Sequence, residues 1–387
     1  MNSQLNFNSS IFKILLIFLS WRFILVVILF LAIHFVPLGN KDRFLGGGSM
    51  NYQMSSKFFS WANFDGEHYL SISIFGYKNL EQAFFPVYPK LISFFAKPIS
   101  YDLISSLVNS TLVGLIISNV SFLLALIFLW ELIRIDYSKK IAYITIILVL
   151  IFPTSFYFGA VYNESLFLLL TVLSFYFARK GNWFLAGVFG MTSSATRIFG
   201  LCLVPAFLYE AWNQKMNFSK FFWILLIPLG TGIYMLYLNT TLGDSLAFYH
   251  FQKLVGEQHQ SGIILLPQVY FRYMKMIIST NLDNPIFQTI VLEFFTGLVF
   301  FILPIYGYLR KIRFSYLIYA MLGFLAPTVQ GSFSSTPRYV IVLFPSFLAA
   351  ALLISGLSKV LRMLLLFLSF AIFVVETALF LRGYWIA

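Results

Sequence analysis

Hydrophobic residues fill long uninterrupted stretches of this chain, and polar residues are confined to the short segments between them. A bilayer core of about 30 Å is crossed by about 20 apolar residues in an α-helix. By that measure the sequence predicts about eleven transmembrane helices, near residues 11–37, 104–130, 140–158, 162–178, 183–198, 200–212, 220–240, 285–309, 314–330, 339–356 and 361–382. Helices are predicted because a backbone surrounded by lipid must satisfy its hydrogen bonds within the segment. The expected fold is an all-α polytopic membrane protein.

The first apolar stretch, which follows Lys13, has some features of a secretory signal peptide. Its apolar run of about 20 residues exceeds the h-region of such a peptide, and no small-residue cleavage signal follows it. We therefore expect an uncleaved first span and a single integral-membrane domain over residues 1–387.

Composition agrees with lipid as the main solvent of the chain. Hydrophobic residues make up 60% of the sequence and charged residues 10%, against about 25% charged residues in soluble proteins. The formal net charge of +12 is explained by cytoplasmic loops and lipid phosphates. Without a basic and aromatic groove pattern, nucleic acid is not an expected partner. The single cysteine, Cys202, allows no intrachain disulfide and no cysteine-based metal site.

Basic residues cluster in five short loops, and alternation of the predicted spans places all five on the side of the N-terminus. These loops are 134–140, 178–182, 213–220, 309–313 and 358–362. The positive-inside bias predicts that this side is cytoplasmic. The long segment 38–103 then lies outside, and its apolar pieces 68–75 and 84–98 are too short to span. Such pieces are typical of helices that lie along the membrane interface.

Ionisable side chains crowd together in "FDGEHYL" within that outer segment. A helix that begins near Asp65 places Asp65, His68 and Tyr69 on one face and Glu67 on another. Asp65 is interpreted either as a helix N-cap or as a carboxylate base at the interface, and the two roles are compatible. His68 is either a hydrogen-bonding positioner or, as the weaker alternative, part of a divalent-cation site. Its spacing from the two acids has no zinc signature.

A second acid and a buried arginine follow in "VYNESLF" and "SSATRIFG". Glu164 stands at the outer start of a helix, where it either complements the helix dipole or faces the same cavity as Asp65. Arg197 lies between two short apolar spans, where an arginine requires an anionic partner. Glu164 and a bound phosphate are the two candidates.

Two further cations lie on the predicted outer side. Arg338, in "STPRYV", either extends toward lipid headgroups or binds substrate. With Arg197 and Lys253 it would suit a lipid-linked phosphate, because a guanidinium matches two phosphate oxygens and lysine adds a point charge. Glu293 and Glu376 lie inside predicted spans, where they serve either an ion path or hydrogen bonds between helices.

The motifs, taken in order, resemble a known family. "W..FDGEHYL.I...GY", "AFFPVYP", "YNESLF", "SSATRIFG" and "PRYV" extend from Trp61 to Tyr339. This order is similar to that of the glycosylphosphatidylinositol mannosyltransferase II family and its bacterial relatives, within the GT-C class of membrane glycosyltransferases. The first two motifs together are specific, whereas the later ones are weak when taken alone.

The resemblance implies a GT-C-like fold and inverting transfer of a hexose, with mannose as the expected sugar. The donor would be a polyprenyl-phosphate sugar and the acceptor a hydroxyl of a glycolipid or glycan, on the non-cytoplasmic side. Asp65 would be the essential acid and Glu164 a supporting acid. Arg197, Arg338 and Lys253 would stabilise the departing phosphate. No cofactor is implied, and membrane lipids are expected partners.

The resemblance also implies that His68, Tyr69 and Tyr77 shape the sugar pocket. Tyr162 and Tyr339, which belong to two of the motifs, are included among the substrate-binding residues. The composition, rich in Ile, Phe, Asn and Lys, favours a bacterial plasma membrane. Two other functions stay open from the residues: a lipid or solute transporter, and a non-catalytic membrane partner in glycolipid assembly.

Overall fold

The computed structural model describes residues 2–39, 55–78, 80–215, 217–255, 264–284 and 286–386. For residues 2–8, 218–219 and 252–255 within these ranges it describes the backbone alone. Helices account for the regular structure of the described residues, and no strand occurs among them.

The α-helices are numbered here in chain order. They are α1 Asn2–Phe35, α2 Asp65–Phe75, α3 Val87–Ala96, α4 Leu103–Arg134, α5 Lys139–Leu150, α6 Glu164–Arg179, α7 Trp183–Thr196, α8 Leu203–Asn213, α9 Leu226–Leu242, α10 Ala247–Val255, α11 Leu266–Ser279, α12 Ile286–Leu309, α13 Phe314–Thr328, α14 Thr336–Tyr339, α15 Phe344–Ser355 and α16 Lys359–Leu381. Short 3-10 helices occupy Ser60–Ala62, Glu81–Ala83, Lys97–Ile99, Ser155–Gly159, Ile198–Cys202, Phe218–Trp223 and Val340–Val342.

Each of the apolar segments predicted from the sequence overlaps one of these helices, which confirms the all-α fold. Their lengths differ from the prediction, and the number of eleven spans is not confirmed. Within the described residues, five helices are long and apolar enough to cross a membrane: Ser9–Phe35, Leu103–Arg134, Lys220–Leu242, Ile286–Leu309 and Lys359–Leu381. A bent pair, Thr336–Val342 with Phe344–Ser355, adds a sixth if it counts as one broken span, with an angle of 85° between its halves.

The shorter apolar segments fall below the length criterion because turns interrupt them. Segment 140–158, for example, contains the 12-residue helix α5 and then the 3-10 helix Ser155–Gly159. On the long helices, large apolar side chains face outward, among them Phe23 at 68% exposure and Phe367 at 68%. Apolar residues exposed along whole helices are stable only in lipid. The chain is therefore an integral membrane protein.

Helix α6 lies at the centre of the helix bundle, where it packs along α4 and α7. Its side chains are buried over most of its length, from Glu164 to Phe175. Helices α7 and α9 approach each other closely at glycines: a Cβ atom on Gly230 would lie 1.9 Å from the backbone oxygen of Met191. A larger residue there would push the two helices apart, as expected for small-residue packing between membrane helices.

The C-terminal end of α6 belongs to a network of ion pairs among the basic loops. Arg179 binds Asp136 with an N–O distance of 2.5 Å, and Arg313 binds Glu210 at 2.7 Å. Glu210 also accepts hydrogen bonds from Ser315 and Gln214. Loops far apart in the sequence therefore meet at one end of the bundle. Glu164, at the other end of α6, lies about 22 Å away along a rise of 1.5 Å per residue.

The segment that precedes α4 carries the two short helices expected from the sequence. Helix α3 lies within the predicted piece 84–98, and α2 begins three residues before the predicted piece 68–75. Helix α2 packs on α3 and α4, and its first turn lies against the residues just before α6. The close approach depends on Gly66, where a Cβ atom would lie 3.3 Å from the backbone oxygen of Val161.

Candidate active site

Four charged side chains from distant parts of the chain meet beside the N-terminal end of α6. Arg338 donates a short hydrogen bond to Oδ2 of Asp65. Arg197 donates to Oε1 of Glu164 at 2.8 Å, and Nε of Arg338 lies 3.6 Å from the same oxygen. The order of contacts is Asp65, Arg338, Glu164, Arg197. We call these four residues the charged cluster.

Asp65 is the most accessible member of the charged cluster. Its side chain is 24% exposed, whereas those of Arg338 and Glu164 are 9% and 2% exposed. Asp65 is the first residue of α2, and the N-cap position belongs to Phe64, which makes no capping hydrogen bond with its side chain. The interpretation of Asp65 as an N-cap is therefore wrong. Phe64 has φ +58°, a strained conformation for a bulky residue.

Glu164 and Arg197 are joined through the first turn of α6 and the end of α7. Asn163, the N-cap of α6, has its side-chain oxygen 3.4 Å from a guanidinium nitrogen of Arg197, and its amide donates to the backbone oxygen of Thr196 at 3.1 Å. Of the two anionic partners considered for Arg197, the structure pairs it with Glu164. The second oxygen of Glu164, Oε2, is buried and has no hydrogen-bond partner among the described residues.

Arg338 belongs to the one-turn helix α14, which is held from two sides. Ser335, before that helix, has φ +60°, and its backbone N–H donates to Glu293 at 3.1 Å. Thr154 donates to the backbone oxygen of Pro337 at 2.6 Å. With 7% exposure, Arg338 is buried and does not extend toward lipid headgroups.

Aromatic rings surround the two arginines. The guanidinium carbon of Arg338 lies 5.7 Å from the ring centroids of both Tyr157 and Tyr162. The ring centroid of Tyr339 lies 5.3 Å from the guanidinium carbon of Arg197 and 5.2 Å from that of Arg338. Ring faces attract cations, so these tyrosines support guanidinium groups in a buried site. Neither Tyr157 nor Asn163 was selected from the sequence, because Tyr157 stands in an aromatic run where nothing distinguishes it.

Tyr69 and His68 connect the charged cluster to the turn before α3. Tyr69 is buried against the rings of Phe84, Tyr88 and Tyr162, and burial raises the pKa of its hydroxyl well above the ordinary value. His68 stacks on Phe84 with ring centroids 4.6 Å apart.

His68 also faces an acid, Glu81, that was not predicted from the sequence as a site residue. Its Nδ1 lies 3.7 Å from Oε1 of Glu81, and the backbone N–H of Lys78 donates to Oε2 of Glu81 at 2.9 Å. Burial alone would raise the pKa of Glu81, but His68 and the Lys78 N–H together hold that pKa below its ordinary value.

For two of the predicted site residues, no contact with the charged cluster or with its surrounding rings is described. Tyr77 packs in a separate aromatic cluster with Phe85, Tyr234 and Phe248, and its hydroxyl donates to the backbone oxygen of Phe84 at 2.7 Å. Lys253 is part of α10, but its side chain lies outside the described residues.

Among the described residues, no group of three or more His, Cys, Asp or Glu side chains is arranged to hold a metal ion. Asp65 and Glu164 each have a guanidinium partner at the positions given above. The described residues therefore offer no set of ligands for the divalent-cation site considered at His68.

A family model described as "Mannosyltransferase (PIG-V)" matches residues 9–226, which is more than half of the chain. This region contains Asp65, Glu164 and Arg197 and ends before Arg338. No curated protein matches the chain in sequence.

Among solved structures, the apo form of the Archaeoglobus fulgidus oligosaccharyltransferase is similar, with a TM-score of 0.50 and 14% identity over 97% of this chain. The chain covers 56% of that protein, so it spans about half of its length. The complex of the same protein with Zn and sulfate has a TM-score of 0.44 and 16% identity, covering 93% of this chain and 53% of that one. At such identities the likeness concerns the fold, which is of the GT-C type.

Proposed function

This chain belongs to the Mannosyltransferase (PIG-V) family, and we propose that it is an inverting glycosyltransferase. The donor is a polyprenyl-phosphate-linked hexose, with mannose as the sugar, and the acceptor is a hydroxyl of a glycolipid or cell-surface glycan. The acceptor oxygen bonds to the anomeric carbon while the bond from that carbon to the phosphate oxygen breaks. The acceptor proton passes to a carboxylate, and the polyprenyl phosphate leaves with the electron pair. The observation that carries the proposal is the contact of Asp65 with Arg338 beside Glu164 and Arg197.

Asp65 is the base in this proposal. A base has to reach the acceptor hydroxyl directly or through one water, and the 24% exposure of its side chain leaves room for that contact. Glu164, 2% exposed, acts differently: it holds Arg197 and Arg338 in place by its charge. Its Oε2 has no hydrogen-bond partner among the described residues, and in this proposal it accepts a hydrogen bond from a hydroxyl of the bound sugar.

Arg338 and Arg197 stabilise the departing phosphate, on which negative charge grows in the transition state. The charged cluster has two acids and two arginines and is formally neutral, so phosphate must compete with the carboxylates for the guanidinium groups. Donor binding therefore draws Arg338 toward the phosphate and frees an oxygen of Asp65 for the acceptor. The proposal accordingly requires that the donor binds before the acceptor.

The charged cluster faces the non-cytoplasmic side in this proposal. Arg179, Asp136, Glu210 and Arg313 form ion pairs at the opposite end of α6, and basic loops are retained in the cytoplasm by the positive-inside bias. A lipid-linked donor with an outward headgroup and a polar acceptor can meet there. We place the protein in a bacterial plasma membrane.

The test is transfer by the purified protein in lipid nanodiscs, given a panel of polyprenyl-phosphate sugars and glycolipid acceptors. We expect transfer from polyprenyl-phosphate mannose, with inversion at the anomeric carbon. Transfer from a nucleotide sugar alone, or retention of configuration, would contradict the proposal. Passage of the donor across sealed vesicles without transfer would favour the transporter alternative.

A further inference from the structure

The loop that leads to Arg338 is held by hydrogen bonds that involve α11 and α12. Neither helix contributes a residue to the charged cluster. Glu293, on α12, accepts the backbone N–H of Ser335 at 3.1 Å through Oε1. Its other oxygen, Oε2, accepts the hydroxyl of Tyr273, on α11, at 2.6 Å. Glu293 is 5% exposed and Tyr273 is 3% exposed, so water contributes little to either bond.

Two hydrogen-bond paths lead from the segment Ser332–Ser335 and both end on Glu293, one directly and one through Tyr273. The Tyr273 hydroxyl donates a hydrogen bond to Glu293. Its oxygen is then free to accept one from the hydroxyl of Ser332, 3.2 Å away. The backbone N–H of Ser334 donates to the Ser332 oxygen at 2.9 Å. Both carboxylate oxygens of Glu293 therefore act on the segment that leads into α14.

The hydrogen bond between the Ser335 N–H and Glu293 holds a residue whose backbone conformation is strained. Ser335 has φ +60° and ψ +6°, a left-handed conformation that costs free energy for a residue other than glycine. Its backbone oxygen accepts the N–H groups of Arg338 and Tyr339, each at 3.0 Å. The turn at Ser335 thus sets the direction of α14, and the bond to Glu293 holds the turn.

Packing fixes the same loop on its apolar side. Phe333 is fully buried against Tyr270 and Tyr273, with ring centroids 4.9 and 5.1 Å away. The Phe333 ring packs against α12 at Gly297. A Cβ atom at position 297 would lie 2.9 Å from that ring, so the glycine leaves the space that the ring occupies. Glu293 is one turn before Gly297 on the same helix face.

We propose that Glu293 is a positioning residue for Arg338, acting through the backbone of Ser335. This inference deepens the proposed function and rests on it where catalysis is concerned. Without the carboxylate, the left-handed turn relaxes and Arg338 loses its fixed place between Asp65 and Glu164. Glu293 touches neither donor nor acceptor.

The first measurement is hydrogen exchange of the segment from Ser334 to Tyr339 in nanodiscs, which needs no activity. Glu293→Ala should speed exchange there by about tenfold, the effect of one lost hydrogen bond. Glu293→Gln keeps an oxygen for the Ser335 N–H and should exchange like the wild type. Glu376→Gln, at a carboxyl that is also 5% exposed but on α16, is the matched control and should leave the segment unchanged.

The second measurement separates positioning from general destabilisation. In the transfer assay, Glu293→Ala should lower kcat by about tenfold with little change in the KM for the acceptor. Adding Ser335→Gly, which adopts the left-handed turn without strain, should restore much of that loss. A merely structural defect would not be repaired by a glycine.

The outcomes are distinguishable. Exchange in Glu293→Ala equal to that of the wild type would overturn the positioning role, whatever the activity. Equal losses of kcat in Glu293→Ala and Glu293→Gln, with no recovery by Ser335→Gly, would overturn it as well. A wild-type protein that transfers no sugar would overturn the proposed function, and the exchange measurement would still decide the role of Glu293.

Discussion

Arg338 donates a hydrogen bond to the carboxylate of Asp65, which lies 273 residues earlier in the chain. The contact joins the first turn of α2 to the one-turn helix α14. Asp65 directly follows Phe64, which has φ +58°, and Arg338 lies three residues after Ser335, which has φ +60°. Strain of this kind persists only where the surrounding structure enforces it, and it concentrates at functional sites.

Stability should depend strongly on the partner of Glu164. In Arg197→Gln the carboxylate of Glu164, 2% exposed, loses its closest cation. Leaving a buried charge without any partner costs about 3–5 kcal/mol. Because Arg338 remains 3.6 Å from the same oxygen, the loss should be smaller than that, and thermal unfolding in detergent should still occur at a lower temperature.

Two variants make that measurement specific. Adding Glu164→Gln removes the carboxylate that has lost its closest cation and should recover much of the loss. Arg310→Gln, at an exposed arginine, should change the free energy of unfolding by less than about 0.5 kcal/mol. An unchanged melting temperature in Arg197→Gln alone would mean that Glu164 is not held as a buried charge.

Transition-state stabilisation by Arg338 should appear in kcat. Arg338→Ala removes the donor that faces the departing phosphate, and loss of one such donor costs about 10²–10³ in kcat. Arg338→Lys keeps the charge without the planar fork and should retain intermediate activity. Steady-state kinetics with saturating donor is the measurement. If Arg338→Ala changed only the KM for the donor, Arg338 would bind the ground state and the transition state equally.

Protonation of Glu81 at low pH should lower the stability of the folded protein. The pKa of this carboxyl is lower in the folded protein than its ordinary value of 4.5, so its ionised form stabilises the fold. That contribution is complete above pH 4.5 and is lost as the pH falls through the lower folded value. Thermal unfolding between neutral pH and pH 3 should therefore drop more steeply for the wild type than for Glu81→Gln. Parallel curves would remove Glu81 from the acid response.

The proposed orientation can be tested by cysteine labelling in intact cells. With Cys202→Ser as background, an impermeant maleimide should modify Tyr101→Cys, because Tyr101 is 92% exposed and precedes α4 at the end of the bundle near the charged cluster. A cysteine in place of Ser138, in the basic loop at the other end, should react only after the membrane is permeabilised. The reverse pattern would put the charged cluster in the cytoplasm.

Hydropathy alone could predict the helices, because every long apolar stretch has to satisfy its backbone in lipid. It could not predict their lengths. Segment 140–158 ends its helix at Leu150 and continues as a turn and the 3-10 helix Ser155–Gly159, because Pro153 stands there and a proline breaks a helix by removing a backbone donor, which a count of apolar residues does not register. Hydropathy indicates whether a segment lies in lipid. It does not predict the 85° bend before α15, at which Pro345 stands in the first turn of that helix.

Charge could predict part of the site. Asp65, Glu164, Arg197 and Arg338 were selected because ionisable groups near apolar segments require partners, and the structure brings these four together. Their pairing could not be predicted, since it depends on how α2, α6 and α14 pack. Tyr77 was selected by its motif and lies in another aromatic cluster.

The most direct test of the account is sugar transfer by Asp65→Asn. Asparagine keeps the shape of the side chain and an oxygen for Arg338, but it cannot take the acceptor proton. We predict correct membrane insertion, a moderately lower melting temperature because the buried Arg338 keeps only Glu164 as a charged partner, and a rate lower by about 10²–10⁴. Asp102→Asn, at an exposed aspartate that caps α4, should transfer at the wild-type rate because asparagine caps equally well. Wild-type transfer by correctly folded Asp65→Asn would contradict the account.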